Sequence, residues 1–346
     1  MTASMNRRTF LGAAGLAGAL ALAGCAGGNG ATSPTSSASG QASASGSTTQ
    51  SASAQADALT VGTLATEDLL PLWVAQAKDL FADKNLQVSI VPFQSATELI
   101  AGVASGEVDL AMTDIMVTAS MVASGVNVQM QWVTLGTTPE QGRFGIMAGP
   151  NSQVQKLSDL AGVPIGVGSN TILEYVMDKL LENAGVPDDK IVVEELQKLP
   201  VRYQAMASGE VAAAALPGTL LALGEANGCK LIADDTTGDN LSQSVMIVQS
   251  SILSDSARAK QVDDLKDVWD FAAETINANP EEFRSVLIEN ANLPQEIAST
   301  YPLSMYPKAE LPTASMVDPV LEWMSKKGYL TQPLTYDAST GAFSTK

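Results

Sequence analysis

The chain has 346 residues, more than one ordinary hydrophobic core accommodates, so two domains are expected. It contains 37 acidic residues against 19 Lys and Arg, and the net charge of −18 repels phosphate backbones, which argues against a nucleic-acid partner. There is no His and there are only two Cys, which excludes zinc sites of the Cys/His kind and any catalytic triad that uses His.

The N-terminus has the features of an export signal. Residues 7–11 read Arg-Arg-Thr-Phe-Leu, which resembles the twin-arginine signal, and residues 11–22 are apolar but too short for a stable membrane span. Residues 22–25 read Leu-Ala-Gly-Cys, which resembles the cleavage box of lipoproteins. We therefore predict a signal peptide over residues 1–24, lipidation of Cys25 and an extracytoplasmic protein anchored to the cell membrane. The alternatives are a plain signal peptide with an incidental Cys, and export by the general secretory route.

A linker is expected next, so that residues 25–57 comprise the lipidated Cys and a disordered tether. Residues 26–56 carry no charge and consist mainly of Ser, Ala, Gly and Thr, a composition that buries too little apolar surface to fold. A flexible chain of about 31 residues has a mean reach of roughly 30 Å, which would hold a globular body clear of the membrane.

From Ala58 onward, strand signals alternate with helix signals. Ser95 begins Ser-Ala-Thr-Glu, a capping box that opens a helix, and Asp114 follows an apolar strand where the next helix needs an N-cap. The first series of predicted elements comprises strand 59–64, helix 70–83, strand 86–93, helix 95–104, strand 108–112 and strand 126–135.

A second series repeats this alternation. It comprises strand 163–168, helix 172–185, strand 190–196, helix 201–208, strand 211–216 and helix 218–228. Because strands alternate with helices in both series, we predict parallel sheets that are covered by helices on both faces.

The pentapeptide Ala-Ser-Gly-Glu-Val occurs twice, at residues 104–108 and 207–211. In each copy the Gly is predicted to end a helix, the Glu to face solvent and the Val to start an apolar strand. Coincidence among five common residues is the alternative. The matching order of elements on either side favours two similar α/β lobes.

Three segments resemble the extracytoplasmic solute-binding proteins of ABC importers, and most closely the family that binds nitrate, sulfonates, taurine and thiamine precursors. They read LQVSIVPFQSATELIAGVASGEVDLAMTD (86–114), KLSDLAGVPIGVGSN (156–170) and MASGEVAAAALPG (206–218). The resemblance extends clearly over residues 59–250 and more loosely over the C-terminal helices.

The resemblance implies an α/β fold of the type II periplasmic-binding-protein class, in which two lobes joined by two crossover strands enclose a ligand cleft. The crossovers would be residues 143–149 and 243–250. Lobe I would comprise residues 58–142 and 248–346, and lobe II residues 143–247. The implied function is to capture a small organic solute and deliver it to the permease and ATPase subunits of an importer, without a cofactor or a metal.

Ligands of open α/β sheets lie beyond the carboxyl ends of the strands, where helix N-termini offer free N–H groups. Five loops occupy such positions, at residues 65–68, 94–95, 113–114, 168–171 and 217–219. The predicted ligand-binding residues are Thr66, Glu67, Ser95, Thr113, Asp114, Ser169, Asn170, Thr171 and Pro217. For Ser95, Asp114 and Asn170 the alternative is helix capping alone, although the two roles are compatible.

These loops contain three carboxylates and no Lys, whereas a site for anions is expected to show Arg or Lys. We therefore predict a neutral or cationic small organic ligand, including heterocycles that stack on an aromatic ring. Arg143 and Arg202 are the alternatives that would hold an anion.

Two other classes of protein compete with this prediction. One is an enzyme of the same fold that acts on a small organic acid, but the sequence shows no pair of nucleophile and base, and Cys229 is interpreted as a small core residue. The other is a ligand-sensing module, which needs a transmembrane helix or a signalling domain that the sequence does not indicate. We therefore predict a non-catalytic binding protein.

Overall fold

The computed structural model describes residues 58–291, 293 and 295–345. The predicted signal peptide, Cys25 and the linker lie outside these residues. The strands are β1 (Leu59–Leu64), β2 (Val88–Phe93), β3 (Leu110–Asp114), β4 (Val128–Leu135), β5 (Phe144–Ala148), β6 (Pro164–Val167), β7 (Val192–Glu195), β8 (Ala213–Pro217), β9 (Lys230–Asp234), β10 (Ser244–Gln249), β11 (Leu334–Asp337) and β12 (Ala342–Thr345). The helices are α1 (Leu70–Ala77), α2 (Ala96–Ser105), α3 (Ile115–Ala123), α4 (Ile172–Asn183), α5 (Leu199–Ser208), α6 (Gly218–Ala226), α7 (Ser250–Ser254), α8 (Ser256–Ala278), α9 (Arg284–Asn290), α10 (Gln295–Ala298) and α11 (Ala314–Lys327).

Two five-stranded sheets form the centres of two lobes, with strand orders β2-β1-β3-β10-β4 and β7-β6-β8-β5-β9. The prediction of purely parallel sheets is wrong for two strands, because β10 runs antiparallel to both of its neighbours and so does β5. Each of these strands enters from the other lobe, and therefore starts at the carboxyl edge of its sheet. The two sheets consequently share one topology, with a reversed strand in the same place.

The chain passes between the lobes after β4 and again after β9. The two reversed strands lie within the predicted crossovers at 143–149 and 243–250. The predicted end of lobe II at residue 247 falls inside β10, where Ser244 already pairs in the first sheet.

Both copies of Ala-Ser-Gly-Glu-Val form the same turn. The backbone is left-handed at Gly106 and Gly209, with φ of 82° at each. The amide of Glu107 donates to a carbonyl of α2 at 3.0 Å, and the amide of Glu210 donates to the matching carbonyl of α5 at 2.9 Å. These turns lead into β3 and β8, which occupy equivalent places in the two sheets. The predicted correspondence between the lobes is confirmed.

An apolar stripe of α8 is buried against the first lobe, where Trp269 packs on Trp132 with 5.7 Å between ring centroids. The stripe comprises Val262, Leu265, Val268, Trp269, Ala272 and Ile276. Cys229 is buried beside Met147 in a separate cluster of the second lobe, which confirms its interpretation as a core residue. In the part of the chain that the structure describes, no helix has the length and apolarity needed to cross a bilayer.

Candidate functional site

A small chamber, here called the inner chamber, lies where the carboxyl edges of the two sheets face each other. Its open space is about 50 Å³, which holds a few water molecules and is well below the roughly 300 Å³ of an ordinary ligand pocket. Its polar lining comprises Thr66, Asp68, Ser95, Thr113, Asp114 and Ser244 from the first lobe, and Thr171, Gln197 and Arg202 from the second.

A larger space, here called the outer chamber, adjoins the inner chamber and has a volume of about 350 Å³. The two chambers share Thr66, Leu199 and Pro217 as lining residues. Phe93 of the first lobe and Tyr203 of the second add aromatic surface to the outer walls. The outer chamber therefore has the volume and the apolar lining that a small organic molecule requires.

The inner chamber brings together six of the nine predicted ligand-binding residues, namely Thr66, Ser95, Thr113, Asp114, Thr171 and Pro217. The other three, Glu67, Ser169 and Asn170, are not among its lining residues. Contact of any of these residues with a ligand stays a prediction.

Asp114 connects the two lobes at the inner chamber. It is the N-cap of α3, where its Oδ1 accepts a hydrogen bond from the N–H of Val117 at 2.7 Å. Its Oδ2 accepts another from the N–H of Ile172 at 3.1 Å, in the first turn of α4 of the second lobe. One carboxylate thus satisfies free N–H groups of two helices. Burial raises the pKa of Asp114 to about 6, and the charge of Asp68 adds to this, whereas the backbone hydrogen bonds lower it.

Ser95 and Thr171 are both buried and both engage their own backbones. Ser95 Oγ accepts a hydrogen bond from the N–H of Glu98 at 3.2 Å, so it caps α2 as the capping-box motif predicts. Thr171 Oγ1 donates to the carbonyl of Gly168 at 2.7 Å. These bonds fix both side chains at the edge of the inner chamber before any ligand arrives.

Glu67 lies behind the chamber wall rather than on it. Burial raises the pKa of Glu67 to about 8, Asp68 raises it further, and hydrogen bonding to Tyr301 lowers it. Gly218 leaves no room for a side chain at this point. A Cβ there would lie 2.9 Å from Oε1 of Glu67 and 2.7 Å from the hydroxyl oxygen of Tyr301. Glu67 is therefore a buried acid enclosed by Tyr301 and the start of α6, which belong to different lobes.

Ser169 and Asn170 do not line the inner chamber, and the backbone at Asn170 is left-handed with φ of 59°. Ser169 donates its hydroxyl hydrogen to Glu195 within the second lobe. Asn170 Nδ2 donates to Ser120 Oγ of the first lobe at 2.6 Å. Asn170 thus connects the lobes beside the chamber instead of lining it.

Sequence reasoning missed three polar residues of the inner chamber, Asp68, Ser244 and Gln197. Asp68 is 3% exposed, and its Oδ1 accepts the hydroxyl hydrogen of Ser244 across 176 positions of sequence. Asp68 belongs to the predicted loop 65–68 and Ser244 to a predicted crossover, so both segments were indicated but the individual side chains were not.

The two Arg side chains considered for anion binding are engaged within the protein. Arg143 Nε donates to Asp234 at 2.8 Å, and its guanidinium also forms an ion pair with Glu225. Arg202 is 2% exposed, and burial lowers its pKa to about 10. Its guanidinium donates to three main-chain carbonyls, those of Leu196, Ala215 and Gln197.

Further contacts hold the lobes together around the chambers. The amide of Leu199 donates to the carbonyl of Gln94 at 3.2 Å, and Lys198 Nζ lies 2.7 Å from Glu98 Oε1. With the bonds of Asp114 and Asn170, these contacts show the cleft in a closed arrangement.

The model of the NMT1/THI5 like family matches residues 66–283. Among solved structures, the alkanesulfonate-binding protein SsuA from Xanthomonas axonopodis pv. citri bound to MOPS is 16% identical, with a TM-score of 0.68 over 81% of this chain and 96% of that one. The periplasmic aliphatic sulphonate binding protein SsuA from Escherichia coli is 16% identical, with a TM-score of 0.65 over 80% and 95%.

The desulfurization enzyme DSZB is also similar, at 14% identity and a TM-score of 0.62 over 80% of this chain and 94% of that one. No curated protein sequence matches the chain. At these identities the structures show a shared fold, the two-lobed periplasmic-binding-protein fold. The family model spans well over half of the sequence, and the chain belongs to the NMT1/THI5 like family.

Proposed function

We propose that this protein is the substrate-binding lipoprotein of an ABC importer, which captures a small organic solute between its lobes and delivers it to a membrane permease with its ATPase. The observation that carries the proposal is the pair of chambers between the carboxyl edges of two sheets, closed by contacts from both lobes. Ligands of this class of sheet bind at that edge.

We further propose that the ligand is neutral or cationic. Asp114 already supplies the carboxylate at the N-termini of α3 and α4, and Asp68 adds a second carboxylate to the inner chamber. Thr66, Ser95, Thr113, Thr171 and Pro217 are proposed to complete the contacts from both lobes.

The first experiment identifies the ligand. Small molecules released from protein purified from its own cells are identified by mass spectrometry and tested by thermal shift. A cognate ligand at a hundredfold excess over its Kd should stabilise the fold by roughly 2.7 kcal/mol. Asp114→Asn should weaken binding at least tenfold while Asn still caps α3, and Glu107→Gln, an exposed change outside the chamber, should bind like wild type. Equal affinity in Asp114→Asn would show that the ligand does not occupy the inner chamber.

The proposed anchor is a lipid on Cys25 after export through the twin-arginine pathway. Cys25→Ser should release the protein from the membrane fraction, and firm retention of that variant would exclude the anchor.

We propose that the protein does not catalyse a reaction on this ligand, although the fold is shared with DSZB. The described residues that line the inner chamber include no Cys, Lys or Tyr as nucleophile or proton donor. A released ligand that changes mass on incubation with the protein would contradict this.

A further inference from the structure

This inference rests on the proposed function and concerns the chemistry of the ligand. We propose that the ligand is a primary organic ammonium with an apolar body, whose ammonium group lies between Asp68 and Asp114 in the inner chamber and whose body lies in the outer chamber.

The two carboxylates are placed together by Ser244. This residue is paired with Asp114 in the register of β10 and β3, and its hydroxyl donates to Oδ1 of Asp68. Oδ2 of Asp68 receives no hydrogen bond from any residue that the structure describes, although the side chain is 3% exposed and lines the chamber. This oxygen is open to the chamber, so a group placed there can donate a hydrogen bond to it, and a charged donor forms the strongest such bond.

The positive ends of the neighbouring helices are already neutralised by Asp114. Its Oδ1 is bound at the start of α3 and its Oδ2 at the start of α4, so an anionic headgroup would compete with a fixed internal carboxylate for both helix N-termini. Such a headgroup would also lie close to Asp68. The chamber therefore disfavours an anion on two counts.

The positive charge of Arg202 does not make the inner chamber favourable to an anion. It contributes one positive charge to the lining against the two Asp, so the sum is 1 − 2 = −1. Its guanidinium is held by the carbonyls of Leu196, Ala215 and Gln197 at 2.8 to 3.2 Å, which fixes it in the wall of the second lobe.

The volumes of the two chambers indicate the size of each part of the ligand. The inner chamber, at about 50 Å³, has room for a small polar headgroup such as a primary ammonium. The outer chamber offers about 350 Å³ between Phe93, Tyr203, Leu220 and Leu223, which suits a phenyl ring or a short aliphatic chain.

The test uses four probes with one apolar body: phenethylammonium, phenethyl alcohol, phenethylsulfonate and trimethyl(phenethyl)ammonium. Binding of each to the full mature chain is measured by calorimetry. Phenethylammonium should bind at least tenfold more tightly than the alcohol and than the trimethylated cation, which has no N–H to donate to Asp68, and the sulfonate should not bind. Asp68→Asn keeps an oxygen for Ser244 but removes the charge, so it should lower the affinity for phenethylammonium at least tenfold and leave that for the alcohol unchanged. Glu210→Gln, an exposed change in the second lobe, should match wild type.

Sulfonate binding as tight as that of the ammonium, an unaffected Asp68→Asn variant, or no binding of phenethylammonium would each overturn the assignment of an ammonium. An anion identified by mass spectrometry would do the same while leaving the importer function in place. If the purified protein releases no small molecule and binds none in a broad screen, the proposed function itself is wrong.

Discussion

At the scale of single residues, Glu67 is a carboxyl group kept in its neutral form. Its pKa is raised by burial to about 8, against an ordinary value of 4.5. Between these two values the folded state binds more protons than the unfolded state, so the free energy of unfolding should fall as pH rises from about 4.5 to about 8 and then level off.

Glu67→Gln cannot ionise and should remove this loss. The free energy of unfolding of the variant minus that of wild type should increase by on the order of 3 kcal/mol from pH 5 to pH 8.5. Urea unfolding of both proteins at the two pH values measures this difference. Exposed Glu107→Gln should show no such pH-dependent gain. A constant difference between Glu67→Gln and wild type at both pH values would mean that Glu67 is ionised in the folded protein.

The sequence predicted the caps at Ser95 and Asp114 because capping depends on residues a few positions apart. It did not distinguish Glu67 from Asp68, since two adjacent acids in a short turn point in different directions and only the tertiary structure decides which one meets the cavity. The left-handed backbone at Asn170 is not indicated by its neighbours in sequence either.

At the scale of elements, α4 is tied to α11 by buried charges. Lys327 Nζ lies 2.9 Å from Glu174 and 2.9 Å from Asp178, and Trp323 Nε1 donates to Asp178 at 2.9 Å. Because α11 packs on α3 of the first lobe, this cluster joins the two lobes. The sequence did not predict that Lys327 and Asp178 are partners, because about 150 positions separate them.

Lys327→Met should therefore destabilise the protein by roughly 3 kcal/mol, because it leaves two buried carboxylates without their cation. The neighbouring Lys326 pairs with Asp188 while both are well exposed, so Lys326→Met should destabilise the protein far less than Lys327→Met. Urea unfolding of both variants provides the comparison. Equal effects of the two substitutions would show that the cluster contributes no more than a surface ion pair.

The sequence predicted the order of the helices and strands better than it predicted where each one ends. The predicted helix 70–83 ends at Ala77, because the chain turns at Asp79 with φ of 56° although the apolar spacing continues to Phe81. The order of the helices and strands is predictable because each apolar strand or helix face must be buried. The residue at which a helix or strand ends depends instead on local backbone geometry.

At the scale of the whole molecule, some of the contacts that hold the lobes in the closed arrangement are weak. The pair of Lys198 and Glu98 is exposed to solvent, and the bond from Asn170 to Ser120 is a single one. Two lobes joined by two passages of chain can change their angle, so the loss of these contacts should shift the balance toward an open form, against the buried contacts of Asp114 and Lys327.

The double variant Asn170→Ala with Lys198→Ala should therefore have a larger radius of gyration than wild type in small-angle X-ray scattering without ligand. The cognate ligand should reduce it again, because it contacts both lobes. A matched double variant of exposed residues within one lobe, Lys156→Ala with Lys190→Ala, should scatter like wild type. If the scattering of the cross-lobe variant is unchanged, these contacts do not hold the closed form.

The placement of the reversed strands has a consequence for the order in which the chain folds. The second sheet takes all its strands from one continuous stretch, Phe144 to Asp234, and is complete once that stretch has left the ribosome. The first sheet has a gap between β3 and β4 until β10 is synthesised. The N-terminal lobe must therefore wait for the lobe that follows it, and during that interval β3 and β4 each present an unpaired edge on which a growing chain can misassemble.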